Sequence, residues 1–334
     1  MSDLMYVQDA ERPDLRTFAK LTQEDMRGYA FSKIIPVITV SEKGGKIWVA
    51  PKGATTAQGT KNRANGTALT GSEVKTVEVS YSCDRIEGRA PIYESEMHGF
   101  ADENAAAQAG ASAAGRQVLN SMEAIFNGVV FTSARTATEL ADHAVLKGLQ
   151  TAAKKIRGYG KAALYMSSET FLTFVEIPEI ADRFKQFAHT TGDVGYLATT
   201  NDQILASLST MLGFERIAIY DSDVVGATND GKIAVVGVQP DAFGVSGDVA
   251  RGIAKTKAMF GAAMVWVPAG APSDEPFVMS QAADRANKCN YFDAEGWVAL
   301  SNFVPATSDE NGGAVVCKLA AKYTPMPAVM VSAS

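Results

Sequence analysis

The residues from which this chain could build chemistry are three histidines, three cysteines and several glycine-rich turns. His98, His143 and His189 stand about 45 residues apart, so no HxxxH or HExxH pair places two imidazoles one helical turn apart for a metal. Cys83, Cys289 and Cys317 are odd in number and widely spaced, giving neither a CxxC knuckle nor a disulfide framework. Residues 226–232 read Gly-Ala-Thr-Asn-Asp-Gly-Lys and satisfy the GxxxxGK part of a phosphate-binding loop. Ile233 then stands where Ser or Thr must hold Mg²⁺, and Ile233 to Val238 is a β-branched run, not the helix whose amides would cradle phosphate. The segment reads instead as a hairpin, with Asn229-Asp230-Gly231 as its turn and a first arm ending near Val225.

The remaining candidates fail on spacing. Gly244-Val245-Ser246-Gly247 lacks the spacing of a nucleophile elbow. Asp221-Ser222-Asp223 opens like a calcium loop, but Val225 occupies the next ligand position. Gly158-Tyr159-Gly160 precedes a strand, the wrong order for a dinucleotide loop. Asn65-Gly66-Thr67 matches a glycosylation sequon, and without a secretory signal it reads as a loop tip. The expectation is therefore no enzyme, with no catalytic residue, metal or cofactor.

Elements must position whatever function remains. The chain has 334 residues, 46% hydrophobic and 20% charged, with net charge -6, which excludes wholesale disorder and disfavours grooved nucleic-acid binding. No apolar stretch approaches the ~18 residues of a membrane span. Residues 1–30 are polar and acidic, with apolar residues too sparse for a core, and read as an arm that packs on something else. Ile34 to Val40 reads as a strand with Pro36 at a bend, and Ile47-Trp48-Val49 continues it. A Gly-, Thr-, Ala- and Asn-rich stretch, 53–71, precedes period-2 alternation from Val77 to Cys83. Together these form a two-stranded excursion whose arms, at ~20 residues each, would reach on the order of 60 Å. An isolated hairpin of that length is marginal in water and needs a partner surface.

Ser95 is read as the residue before a long Ala-rich helix from Glu96 to about Phe126, stopped by Asn127-Gly128. At about 31 residues it would be a rod of roughly 45 Å. Beyond Thr132 the pattern is compact α/β. Thr136-Ala137-Thr138-Glu139 reads as a capping box, opening a helix with Val145, Leu149, Ala152 and Ile156 on its face. Strands are expected at 162–166, 216–220, 232–238 and 263–267, with helical pieces at 168–177 and 179–188. Two tail strands, 297–303 and 315–323, flank a turn at 309–313.

That order of polar arm, extended hairpin, long helix, α/β unit and returning strands resembles the major capsid protein of tailed bacteriophages with the HK97-like fold. The likeness covers roughly residues 1–325 and lies in the sequence of elements, since the family has no short catalytic signature. It implies an α+β chain with an N-arm at 1–30 and an E-loop with its connecting strands at 31–95. A peripheral domain with a spine helix would span 96–132 and 286–325, an axial domain 133–285, and a C-terminal tail 326–334. It also implies a homo-oligomer of hexamers and pentamers that encloses double-stranded DNA without sequence-specific binding, in a virion assembled in the bacterial cytoplasm and with no membrane. Because the chain runs from Met1 almost directly into the arm, a cleaved internal extension is not expected, and a separate scaffolding protein is. A portal protein and a decoration or cement protein are further implied partners.

The charge pattern fits contacts between subunits. Lys43, Lys46, Lys52, Lys61 and Arg63 meet no acid until Glu73, whereas the arm carries Asp9, Glu11 and Asp14. The expected contact lays this basic hairpin on acidic surface of a neighbour, including that arm, with Trp48 as its apolar anchor. A run that is simply solvated is the alternative. Some relatives cross-link the hairpin through a Lys; nothing singles out Lys52 or Lys61, and no cross-link is expected. Two other readings remain open: an encapsulin-type nanocompartment with a similar subunit, and an α/β enzyme whose site is assembled from dispersed residues.

Overall fold

The computed structural model describes residues 10–11, 14–15, 28–50, 76–131, 138–141, 143–156, 158–182, 202–238, 259–269, 271, 275–302 and 313–320. In the first part of the chain these form β1 (Ala10–Glu11), α1 (Ala30–Ile34), β2 (Val37–Val40), β3 (Gly44–Val49), β4 (Val77–Ser82), β5 (Asp84–Tyr93) and α2 (Glu103–Val130). There follow β6 (Thr138–Glu139), α3 (Val145–Lys155), β7 (Lys161–Ser167), α4 (Ser168–Glu176), α5 (Asp202–Leu212), β8 (Ile217–Tyr220) and α6 (Ser222–Val225). The last strands are β9 (Lys232–Val238), β10 (Gly261–Trp266), β11 (Val278–Asp284), β12 (Cys289–Asn302) and β13 (Ala314–Lys318).

β12 organises a six-stranded sheet. It pairs antiparallel with β5 from Cys289↔Tyr93 to Val298↔Asp84, with β11 from Cys289↔Asp284 to Glu295↔Val278, and with β10 from Val298↔Val265 to Asn302↔Gly261. β1 adds to β11, and β2 lies parallel to β10. α2 covers one face, packing Ala107, Ala111, Ala114, Val118 and Met122 into a core with Ile86, Ala90, Ile92 and Phe292. Alanine and glycine let this helix lie close to the strands. A Cβ at Gly110 would stand 2.3 Å from the Phe292 ring, and one at Gly88 2.2 Å from the Ala114 carbonyl oxygen.

A five-stranded sheet, in the order β6-β13-β9-β7-β8, forms the second layer. β7 and β9 are near-continuous apolar runs because both their faces are covered. Leu164, Met166 and Val235 face α3, α4 and α5 through Leu149, Phe174 and Leu208. Ala163, Tyr165, Ala234 and Val236 face the other way and share the α2 core with Phe126 and Phe260. β3 and β4 make a separate two-stranded sheet, from Gly44↔Ser82 to Val49↔Val77. Its inner face, Ile47, Val49 and Tyr81, packs on Ile38, Ala262 and Met264.

Several boundaries differ from expectation, each with a local cause. The long helix begins after Asp102, whose Oδ1 accepts the Ala105 amide at 2.7 Å, and Met97–Gly99 is a separate 3-10 turn. It runs through Asn127-Gly128 to Val130, because Asn127 is buried and its amide is held by other side chains. Ile34 closes helix α1 and does not begin a strand; β2 starts only after Pro36. Thr138–Glu139 is no helix cap but an edge strand beside Cys317–Lys318, and α3 opens at Val145 without a side-chain cap. The hairpin expected around 229–231 is absent: residues 222–225 and 227–229 are helical turns, and β9 pairs with β7 and β13 while β8 pairs with β7. The two tail strands part company, β12 in the six-stranded sheet and β13 in the five-stranded one. β10 and β11 likewise belong to the six-stranded sheet. Among the described residues of the arm, Leu15 and Ala30 are buried with the α2 core.

Candidate functional site

The groups with most intrinsic chemistry are dispersed. His98 and His143 are exposed, and His189 lies outside the described residues. All three cysteines are free and buried, and burial pushes the Cys83 and Cys317 thiols up to about 11, where little thiolate forms. Among the described residues no three His, Cys, Asp or Glu side chains gather to hold a metal ion. Lys232, the would-be phosphate lysine, folds back on its own turn and donates to Asn229 Oδ1 at 2.9 Å. Asp221, the would-be calcium ligand, caps α6 by accepting the Asp223 amide at 2.9 Å. Among the described residues no helix is long and apolar enough to cross a membrane.

The basic hairpin has a definite geometry. Its period-2 alternation turns Ile47, Val49, Val79 and Tyr81 toward the six-stranded sheet and leaves Lys46, Trp48, Glu78 and Ser80 outward. Lys46 Nζ lies 2.5 Å from Glu78 Oε1 on the paired strand. Lys43 Nζ stands 4.4 Å from the Trp266 ring centroid and 3.7 Å from that of Trp297, two indoles that meet edge to face at 5.1 Å. Both lysines therefore have partners within their own chain. Trp48 has no such partner among the described residues and is 44% exposed. Lys52, Lys61, Arg63 and Asp9 lie outside the described residues. Glu11 is placed by backbone pairing with Ser280, and Asp14 is exposed. β1 and β2 end the strand path of the six-stranded sheet, and the hairpin packs at the β2 end, so β1 with Glu11 and the hairpin stand at opposite ends of that path.

The outward face of β5 and β12 continues from the hairpin. Arg89 grips Asp293 with two hydrogen bonds, 2.6 and 2.7 Å, and Arg85 joins Glu87 at 2.8 Å and also Glu295. Tyr93 is exposed at its end. This is a ladder of paired charges and aromatics on an open sheet face.

Sequence patterns alone miss a buried polar junction between the two sheets. Glu123 occupies a core position of α2 among Leu119, Met122 and Phe126 and is 2% exposed. Its Oε2 accepts the Phe31 amide at 3.0 Å, and its Oε1 accepts the Tyr165 hydroxyl at 2.9 Å. One turn on, Asn127 Oδ1 accepts from Asn229 Nδ2 at 2.6 Å. Burial pushes the Glu123 carboxyl up to about 7, against the opposing pull of its hydrogen bonds and of Lys33. The available signal was a lone acid inside an apolar helical stripe.

No family model matches the sequence, and no curated protein matches it. Solved structures do. A phage-related protein from Bordetella bronchiseptica matches over 93% of this chain and 97% of its own, with TM-score 0.56 at 14% identity, which shows a common α+β fold along nearly the whole length. A virus-like particle protein from Pyrococcus furiosus covers 91% and 98% with TM-score 0.48 at 11% identity, and a satellite phage P4 procapsid chain 96% and 94% with TM-score 0.44 at 10% identity. The last two fall below a TM-score of 0.5, and the fold assignment rests on the first.

Proposed function

We propose that this chain is the repeating subunit of a closed protein shell, the major capsid protein of a tailed phage, enclosing double-stranded DNA. The observation that carries this reading is the fold shared with a phage-related protein across almost all of both chains. A shell subunit must place its binding energy in edges and projecting segments that meet several neighbours, instead of in a cleft. The two-stranded β3–β4 sheet and the open face of β5 and β12 are surfaces of that kind.

In this reading residues 1–30 are the N-arm, the segment around β3 and β4 is the E-loop, and α2 is the spine of the peripheral domain. Where the expected bounds put residues 133–285 in the axial domain and 286–325 in the peripheral one, we take β10 and β11, which share a sheet with β12, as peripheral and β13, which pairs with β9, as axial. Trp48, Lys52, Lys61 and Arg63 contact a neighbouring subunit that offers acid, including Asp9, Glu11 and Asp14 of its arm. Lys43 and Lys46 chiefly hold the hairpin to its own chain. Scaffold, portal and cement proteins are the further partners, and no catalytic role is assigned.

Negative-stain imaging with sedimentation, on protein expressed alone and co-expressed with a scaffolding protein, tests the proposal. Closed shells hundreds of ångströms across, carrying DNA when taken from a lysate of infected cells, are the expected result. Shells that hold a cargo enzyme and no DNA would replace the phage reading with a nanocompartment. A discrete monomer or dimer under those conditions would overturn both.

A further inference from the structure

The Glu123 junction has a property that the shell reading neither requires nor explains. Three elements meet at one carboxyl: α1, through the Phe31 amide; α2, which carries the residue; and β7, through the Tyr165 hydroxyl. The groups facing it are Tyr29 and Lys33 from the α1 side, Asn120 from α2, Tyr165 from β7, and Tyr220 and Asp221 from the end of β8, with Arg116 acting on Tyr29. Among the described residues Glu123 makes no direct ion pair, so its charge, when present, is buried and compensated by hydrogen bonds and by the more distant charge of Lys33. A recess of about 280 Å³, lined in part by Tyr29, Asn120, Glu123, Tyr220 and Asp221, lies against it and offers a path for water and protons.

We propose that Glu123 is a proton-operated latch, holding α1 against the seam between the two sheets when neutral and loosening it when ionised. The neutral carboxyl tolerates the dry site, and its carbonyl oxygen still accepts the Phe31 amide. Ionisation adds a buried charge, which is relieved when α1 lifts and water enters through the recess. The sign follows from linkage. The closed state holds its proton up to about 7, whereas the exposed carboxyl in an opened state releases it near the ordinary 4.5. The closed state's advantage is complete below the lower value and is lost as pH rises through the upper one. The leverage is local, because α1 is a five-residue helix and its first amides depend on this acceptor.

The test is hydrogen exchange on the full chain, held in one assembly state, at about pH 5.5 and about pH 8.5 and corrected for intrinsic rates. Protection of the Phe31 to Ile35 amides should fall on the order of tenfold or more between the two, while β7 amides keep theirs. In Glu123→Gln, which resembles the neutral acid, the fall should vanish. Unchanged protection in the wild type, or the same fall in the Gln variant, would overturn the latch. If the variant does not fold, the carboxyl infrared band of the wild type decides. A glutamic acid still protonated at about pH 6 is the expected result, and complete ionisation below that pH sinks the idea.

Discussion

The two sheets differ in how many of their faces the chain itself covers, and their side chains record the difference. β7 and β9 are buried on both sides, between α3, α4 and α5 on one face and the α2 core on the other. β5, in the six-stranded sheet, alternates strictly: Ile86, Gly88, Ala90 and Ile92 turn to α2, while Arg85, Glu87, Arg89, Pro91 and Tyr93 turn to solvent. A doubly covered strand can serve only as framework. A singly covered one keeps a face for something else, and here that face carries paired charges and aromatics instead of a bare apolar surface.

The comparison makes graded predictions. Tyr165→Ala, in the doubly covered layer, removes a ring packed 5.2 Å from Phe126 and 4.8 Å from Tyr220. It should cost about 3–5 kcal/mol in denaturant unfolding. Gly110→Val, at the covered face of the other sheet, forces α2 off Phe292 and should cost about 1–3 kcal/mol by the same measurement. Arg89→Ala, on the open face, breaks a bidentate but half-exposed pair and should cost about 1 kcal/mol or less. Trp48→Ala should change subunit stability by no more than about 0.5 kcal/mol, yet lower the yield of shells seen by sedimentation. A stability loss at Arg89 or Trp48 as large as that at Tyr165 would break the comparison, and unchanged shell yield in the Trp48 variant would remove its proposed role as an anchor.

Legibility followed the range of the interaction. The alternation from Val77 to Cys83 and the continuous runs of β7 and β9 announced strands because burial acts on each residue in turn. The helix end at Asn127-Gly128 was misread because the local stop signal lost to partners far along the chain, Tyr165 and Asn229. The supposed capping box failed in the same way, since Thr138 and Glu139 found an open edge beside β13 and left the helix start to Val145. Of the expected contact residues, Lys43 and Lys46 were plausible from charge alone. Their partners, two indoles over 200 residues away and a cross-strand glutamate, could not be read from a charge run.

What the amino-acid order determined by itself is the inventory: a long Ala-rich helix, strands of two kinds, a basic hairpin, and histidines and cysteines too far apart for local chemistry. These follow from propensity and periodicity, which act over a few residues. Which strands share a sheet was decided only in three dimensions, where β13 and β12 separate although the chain between them is short. The same holds for Glu123, an ordinary helical acid by sequence. It becomes a titrating junction because α1 and β7 close over it, and burial is a property of the assembled layers and not of any one segment.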